Sequence, residues 1–125
     1  MNEKELTNQI IEFLNYTGKY FCWRVNSGMV QSAKGHFIKL ARAGSSDILG
    51  IEKGTGRTIC LEVKLPKTIK TVTAAQREYL DKMKSYGAIT GVVTSPEEAV
   101  QIIEEVNPYE NEDSVEQERT NESTN

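Results

Sequence analysis

The chain has 125 residues, of which 38% are hydrophobic and 26% are charged, and its formal net charge is −3. This length suits one domain with a modest core and is too short for two. No apolar run approaches the roughly 18 residues that a membrane span needs. The N-terminal Met1-Asn2-Glu3-Lys4-Glu5 lacks the basic-then-apolar layout of a secretory signal. We therefore expect a cytoplasmic protein with no membrane partner.

The charge is unevenly distributed along the chain. Residues 107–125 contain six acids and one base, whereas residues 19–84 contain thirteen Lys or Arg and five Asp or Glu, a local net charge of +8. A basic middle segment is compatible with a phosphate-backbone partner. Because the tail has almost no apolar residues, we predict a folded domain over residues 1–106 and a disordered acidic segment over residues 107–125.

The first part of the chain predicts one helix followed by strands. Over residues 4–17, apolar side chains recur at three- and four-residue spacing, and Gly18 follows as a helix stop. Aromatic and β-branched residues over 20–25 predict a strand. After a turn at Asn26-Ser27-Gly28, residues 37–40 indicate a second, short strand.

The next two strand-like runs, residues 47–52 and 58–64, predict a hairpin. Gly54-Thr55 favours a two-residue loop with glycine in the first central position. The numbers of opposed residues then sum to 109. This register places Asp47 directly opposite Glu62, with both side chains on one face.

The last third of the chain predicts a helix, a strand and a second helix. Thr73 is a capping residue for a helix that extends through Tyr86. Residues 88–93 form an apolar strand, and Ser95 begins a final helix that runs to about Val106. The predicted order αββββαβα indicates an α/β fold with a mixed sheet flanked by helices.

Charged residues at the end of the second hairpin strand carry the candidate chemistry. Glu62 and Lys64 share a face because they lie two residues apart on a strand, and the hairpin register adds Asp47. Mg²⁺ prefers oxygen ligands and commonly uses one or two carboxylates, and it activates water for attack on a phosphodiester. A neighbouring lysine stabilises the developing charge. The alternative is an ordinary acid–lysine pair on a solvated hairpin.

Four segments carry a family resemblance: Cys22-Trp23-Arg24-Val25-Asn26-Ser27-Gly28, Gly44-Ser45-Ser46-Asp47-Ile48-Leu49-Gly50, Leu61-Glu62-Val63-Lys64 and Thr73-Ala74-Ala75-Gln76. In this order the chain resembles the virus-type replication-repair nuclease family (VRR-NUC) of the PD-(D/E)xK superfamily, over about residues 3–105. Many members have proline before the aspartate, where this chain has Ser46. That position mainly shapes the turn.

The resemblance implies a restriction-endonuclease-like fold and a role for each site residue. Asp47, Glu62 and the backbone carbonyl of Val63 would bind Mg²⁺ or Mn²⁺, and Lys64 and Gln76 would be catalytic. An acid on the first helix often joins the site in this superfamily. Glu5 is the favoured residue for that role and Glu12 is the alternative.

The resemblance also implies a phage or bacterial DNA endonuclease that acts as a homodimer on branched, flap or four-way-junction DNA. Three alternatives stay open: a restriction-type enzyme on ordinary duplex, a non-catalytic nucleic-acid-binding module of the same fold, and a scaffold protein. Seven residues in or near the basic middle segment are candidates for DNA contacts: Arg24, Asn26, Lys34, Lys39, Arg42, Lys67 and Lys70. We interpret His36 as a surface or hydrogen-bonded histidine, with a general base as the alternative, and Cys22 and Cys60 as buried free thiols.

Overall fold

The structure is a computed structural model that describes residues 1–25, 29–39 and 44–105. Its elements in chain order are α1 (Glu3–Tyr16), β1 (Tyr20–Arg24), β2 (Met29–Gln31), β3 (Phe37–Lys39), β4 (Ile48–Glu52), β5 (Thr58–Val63), a 3-10 helix (Pro66–Thr71), α2 (Ala74–Ser85), β6 (Ile89–Val93) and α3 (Pro96–Glu105). The boundary predicted after residue 106 and the segment 107–125, predicted to be disordered, lie outside the described residues.

Four strands form one mixed sheet in the order β1-β4-β5-β6. The pairs β1–β4 and β4–β5 are antiparallel, whereas β5 and β6 are parallel and are connected through α2. The prediction of a mixed α/β sheet flanked by helices is confirmed at this level. The predicted order of elements along the chain is wrong in one respect, because it lacks β2. Where the sequence pattern indicated a single strand, β2 and β3 form a separate antiparallel hairpin.

Strand β5 is buried on both faces of the sheet. Ile59, Leu61 and Val63 pack into the core that contains α1 and α3. Cys60 instead belongs to the smaller core with Leu80 of α2. Since side chains alternate along a strand, Glu62 and Lys64 follow Cys60 onto the α2 face.

The predicted hairpin register is confirmed, although the turn is wider than predicted. Ile48 lies opposite Leu61, and the following pairs keep the same sum of 109. The backbone N–H of Gly56 donates to the carbonyl of Glu52 at 2.9 Å, and the N–H of Glu52 donates to the carbonyl of Arg57 at 2.9 Å. The loop therefore spans the four residues 53–56. Gly54 and Gly56 both have positive φ, of 89° and 72°, which suits glycine and permits the wider loop without a change of register.

Within the described ranges, none of the helices has the length and apolar character needed to cross a membrane.

Candidate active site

The β4–β5 register brings Asp47 and Glu62 together just beyond the last paired residues of the hairpin. The bond between Glu52 and Arg57 marks a hydrogen-bonded pair, and alternation along the ladder makes the position of Asp47 and Glu62 a non-hydrogen-bonded one. Directly opposed residues lie closest at such positions. One oxygen of Asp47, Oδ2, accepts a hydrogen bond of 2.8 Å from the N–H of Val63. Asp47 is thereby fixed to the strand that carries Glu62.

Glu62 is a buried carboxylate with an unsatisfied oxygen. Its side chain is 2% exposed, and no hydrogen-bond partner reaches Oε2 within the described part of the chain. Burial is the largest cause of a raised Glu62 pKa, and the negative charge of Asp47 and a side-chain interaction with it add to the rise, whereas the positive charge of Lys64 opposes it. Together these causes bring the pKa of Glu62 to about 8. This arrangement disfavours two ionised carboxylates unless a cation lies beside them.

Gln76 holds the other oxygen of Glu62. Its Nε2 donates a 2.8 Å hydrogen bond to Glu62 Oε1. Its own Oε1 accepts from the backbone N–H of Thr73 at 2.9 Å, and its backbone N–H donates to Thr73 Oγ1 at 3.1 Å. This reciprocal capping box fixes which end of the amide faces the carboxylate. The structure thus places Gln76 at the predicted site, and its catalytic role stays a prediction.

Lys64 lies directly after β5 and is 8% exposed. Its backbone N–H donates to the carbonyl of Val93 at 3.0 Å, which extends the pairing with β6 past the end of the strand. It lies two positions after Glu62, with only Val63 between them, so both side chains start from the same face. A lysine is rarely buried this far without a role for its charge, and here the charge acts on the pKa of Glu62.

The structure brings a different acid of the first helix toward Glu62 than the one favoured in the sequence. Glu5 is exposed, and its carboxylate accepts from the N–H of Asn2 at 3.3 Å to complete the N-terminal capping box, while Glu12 is also exposed. Glu3 is the α1 acid whose charge contributes to the raised pKa of Glu62. Its Oε1 accepts from Thr68 Oγ1 at 3.2 Å, which ties α1 to the 3-10 helix that follows Lys64.

A signal for Glu3 was present in the sequence. The buried residues of α1 are Leu6, Thr7, Ile10 and Leu14. Glu3 precedes Leu6 by three residues and Ile10 by seven, so it lies on the same stripe of the helix. Glu5 lies off this stripe. Helical phase relative to the apolar residues was therefore more informative than distance from the helix end.

The loop before Asp47 packs closely against the first turn of α2. Gly44 has a φ of +79°, and a Cβ added there would lie 2.6 Å from the carbonyl oxygen of Ala75. Ser46 is buried, and its hydroxyl donates to the carbonyl of Ile48 at 3.2 Å. These contacts set the position of Asp47 relative to the helix that carries Gln76.

The residues predicted to contact DNA fall into three groups. Lys34, Lys67 and Lys70 are exposed, and the last two belong to the 3-10 helix beside the site. Arg24 is exposed at the end of β1, where strand alternation gives it the direction of the buried Cys22 and not that of Asp47's face. Asn26 and Arg42 lie outside the described residues. The backbone of Lys39 belongs to β3, but its side chain also lies outside the description.

The two cysteines and the histidine named in the sequence analysis have the surroundings that the sequence predicted. Cys22 and Cys60 are free and buried, as predicted, and burial raises the pKa of each thiol to about 11. His36 is exposed, and its backbone N–H donates to Ser32 Oγ at 3.2 Å.

In the part of the chain that the structure describes, no three or more His, Cys, Asp or Glu residues form a group able to hold a metal ion. Asp47 and Glu62 are two carboxylates and do not make up such a group.

The donor set at that pair fits a magnesium-type cation. Asp47 and Glu62 supply carboxylate oxygens, and this class of ion needs only one or two such ligands because water and substrate complete its shell. Among the described residues, Oε2 of Glu62 has no hydrogen-bond partner, so this oxygen is free to bind a cation. No protein-family model matches the chain, and no curated protein matches it either.

Proposed function

We propose that the chain is a metal-dependent DNA endonuclease that hydrolyses phosphodiester bonds and resembles the VRR-NUC family in fold and mechanism. The observation that carries the proposal is the pair of adjacent carboxylates, Asp47 and Glu62, with a buried, unpartnered oxygen beside the buried Lys64. A cluster of two carboxylates and one lysine is suited to a site that binds a divalent cation and a phosphate group.

The roles of the chain's own residues follow from their contacts. Asp47 and Glu62 would hold Mg²⁺ or Mn²⁺, with the carbonyl of Val63 as a further oxygen donor. When bound, the cation supplies Lewis-acid polarisation of the phosphate. Lys64 places a fixed positive charge beside the phosphate as negative charge develops. Gln76 orients the Glu62 carboxylate through Oε1, which leaves Oε2 for the metal.

The proposed substrate is branched, flap or four-way-junction DNA. The described elements form a compact α/β body without a separate base-reading module, and this favours recognition of DNA shape through backbone contacts. A homodimer would present two sites related by two-fold symmetry, one for each strand of a junction. We place this activity in the cytoplasm of a bacterial or phage-infected cell.

The decisive experiment compares site variants with matched surface variants. The purified chain is incubated with duplex, flap and four-way-junction DNA in Mg²⁺, Mn²⁺ or EDTA. Glu62→Gln and Lys64→Met preserve side-chain size and remove charge, and we expect each to lower metal-dependent cutting by roughly 100-fold or more. Glu78→Gln and Lys82→Met make the same changes on exposed positions of α2 and should cut normally.

Each of the other outcomes either contradicts the site assignment or indicates a different function. Undiminished cutting by Glu62→Gln or Lys64→Met contradicts the site assignment. Binding of DNA without cutting under any metal condition indicates the non-catalytic module. Cutting of plain duplex at defined sequences indicates the restriction-type enzyme.

A further inference from the structure

Two aromatic side chains project from the edge strand β1 into solvent. Phe21 is 68% exposed and Trp23 is 39% exposed, and their ring centroids lie 5.7 Å apart. Across the strand pair they lie opposite Ile51 and Leu49 of β4. Ile51 is itself 45% exposed. We call Phe21 and Trp23 the aromatic pair.

The aromatic pair lies on the same face of the sheet as the candidate active site. Tyr20 and Cys22 are buried on the α1 face, so the alternate residues Phe21 and Trp23 point the other way. Leu49, opposite Trp23, packs on the core that contains α2 and is two residues from Asp47. The aromatic pair and the carboxylates therefore share one surface.

The distance between the two features matches a short stretch of a DNA strand. The N–H of Val25 donates to the carbonyl of Asp47 at 2.8 Å, so pairing of β1 with β4 reaches as far as Asp47. Trp23 is two residues before Val25, or about 6.8 Å along the strand, and Phe21 is as far again. Even at the compact rise of a duplex, about 3.4 Å per nucleotide, these distances span only about two and four nucleotides. Bases within a few nucleotides of a phosphate at Asp47 would reach the aromatic pair.

The surroundings favour nucleic acid over a second protein chain. The exposed parts of Phe21, Trp23 and Ile51 amount to an area on the order of 300 Å², well below the roughly 800 Å² that each partner buries in a standard interface. Lys53 is exposed directly after β4, and the charge of Glu52 is met by Arg57 at 3.1 Å. The rim near Ile51 therefore carries a positive charge suited to phosphate.

We propose that Phe21 and Trp23 stack against unpaired bases next to the cleaved phosphate, so that the preferred substrate is DNA with single-stranded nucleotides beside the cut. Bases inside a duplex already stack on each other, whereas unpaired bases are free to stack on aromatic side chains. The position of the cleaved phosphate rests on the proposed function. The stacking itself requires no cleavage and is tested without it.

Trp23 is the only tryptophan in the sequence, so its fluorescence reports directly on this surface. The full chain is titrated in EDTA with fluorescein-labelled oligodeoxythymidylate and with a blunt duplex of equal length, and anisotropy of the label gives the affinities. A parallel titration with unlabelled DNA follows tryptophan emission. We expect single-stranded DNA to quench the emission of Trp23.

Variants separate stacking from general apolar contact. Phe21→Ala removes the ring, and Phe21→Leu removes the ring but keeps apolar area at this exposed position. Loss of one stacked base weakens binding by roughly 5- to 150-fold, so both variants should lose at least fivefold in affinity for single-stranded DNA and little for the duplex. Tyr16→Ala, at a side chain 92% exposed on α1, should change neither affinity.

Several results would overturn the inference. Unchanged affinity of Phe21→Ala for single-stranded DNA excludes stacking, as does unchanged Trp23 emission when anisotropy shows saturation. Emission that shifts with protein concentration alone means that a second copy covers the aromatic pair. If the chain cuts DNA but Phe21→Ala binds normally, the nuclease proposal survives and this inference fails. If the chain stacks on single-stranded DNA but cuts no DNA, this inference survives and the nuclease proposal fails.

Discussion

The side-chain amide of Gln76 donates a 2.8 Å hydrogen bond to Oε1 of Glu62, while the oxygen of the same amide accepts a 2.9 Å bond from the N–H of Thr73. One residue therefore caps the start of α2 and orients a carboxylate on the central strand β5. The capping box leaves the amide no freedom to turn its oxygen toward the carboxylate. One side chain thus couples the start of α2 to the candidate active site.

Removal of Gln76 should destabilise the protein and reduce cutting. Gln76→Ala leaves both oxygens of the buried Glu62 without a partner, which we expect to lower the free energy of unfolding by about 1–3 kcal/mol in EDTA. Urea denaturation measures this change. Gln101→Ala is the control, because Gln101 is exposed on α3 and donates to Glu105 at 3.2 Å. Equal losses in the two variants would show that the bond to Glu62 has no special weight.

The raised pKa of Glu62 predicts how metal-free stability depends on pH. The folded chain holds this proton to a pH of about 8, whereas the ordinary value is 4.5. The unfolded state therefore releases the proton first, and the contribution of Glu62 to stability is full below about 4.5 and is lost as the pH rises to about 8. In EDTA at pH 8, we expect Glu62→Gln to have a Tm several degrees above that of the unaltered chain.

This difference in Tm should shrink as the pH is lowered toward 4.5, since both side chains are then neutral. Thermal unfolding monitored by circular dichroism at several pH values provides the measurement. Glu78→Gln changes an exposed carboxylate on the same helix as Gln76 and serves as the control. A lower Tm for Glu62→Gln at pH 8 would mean that the ionised carboxylate is stabilised in the metal-free protein.

Divalent metal should stabilise the folded protein through the same two carboxylates. A cation that binds only the folded state raises Tm by mass action, and the effect grows with its concentration. We expect Mg²⁺ or Mn²⁺ to raise the Tm of the unaltered chain at pH 8, and Asp47→Asn or Glu62→Gln to remove the increase. Because the readout is thermal unfolding, it is independent of cutting. An undiminished increase in both variants would locate the metal elsewhere.

Glu3 and Glu5 form a matched pair for testing the acid on α1. Glu3→Gln removes the charge that helps to raise the pKa of Glu62, and we expect at least a severalfold weaker effect of Mg²⁺ on Tm. Glu5→Gln should leave that effect unchanged, because glutamine also completes a capping box with Asn2. Titration of Mg²⁺ against Tm distinguishes the two variants. A larger effect from Glu5→Gln would identify Glu5 as the α1 acid that acts at the site.

The sequence predicted the relationships that depend on periodicity. The register of Asp47 and Glu62 follows from a fixed sum of residue numbers, and it holds although the loop between the strands is four residues long instead of two. The register tolerated this error because both loops are symmetric about the same midpoint. The capping box that positions Gln76 was likewise readable, since Thr73 and Gln76 have the residue types and spacing that such a box requires.

The features that the sequence did not reveal depend on how elements pack. Glu3 is the exception: its helical phase was readable, but position before Gly18 alone favoured Glu5, which lies off the buried stripe of α1. Strand β2 was missed because Met29-Val30-Gln31 follows directly on the turn signal Asn26-Ser27-Gly28 and lacks the aromatic residue that marked β3. The exposed aromatic pair was equally hidden, since Phe21 and Trp23 in an apolar strand look like core residues until α2 is seen to pack on β5 and β6.

The close approach at Gly44 gives the last prediction. Gly44 and Gly54 both have positive φ, of 79° and 89°, so Gly→Ala at either position introduces similar backbone strain of about 1–2 kcal/mol. Only at Gly44 does the new Cβ meet backbone, 2.6 Å from the carbonyl oxygen of Ala75, whereas the space at Gly54 is open. Gly44→Ala must therefore displace the Asp47 loop from the start of α2.

We expect Gly44→Ala to lower the free energy of unfolding by about 1–3 kcal/mol more than Gly54→Ala, which is the usual cost of an overpacked site. At a temperature where both variants are folded, Gly44→Ala should cut DNA at least tenfold more slowly than Gly54→Ala. Urea denaturation and single-turnover cleavage measure the two effects separately. Equal cutting rates would mean that the loop carrying Asp47 absorbs the displacement, and that the spacing between Asp47 and the helix of Gln76 does not limit the reaction.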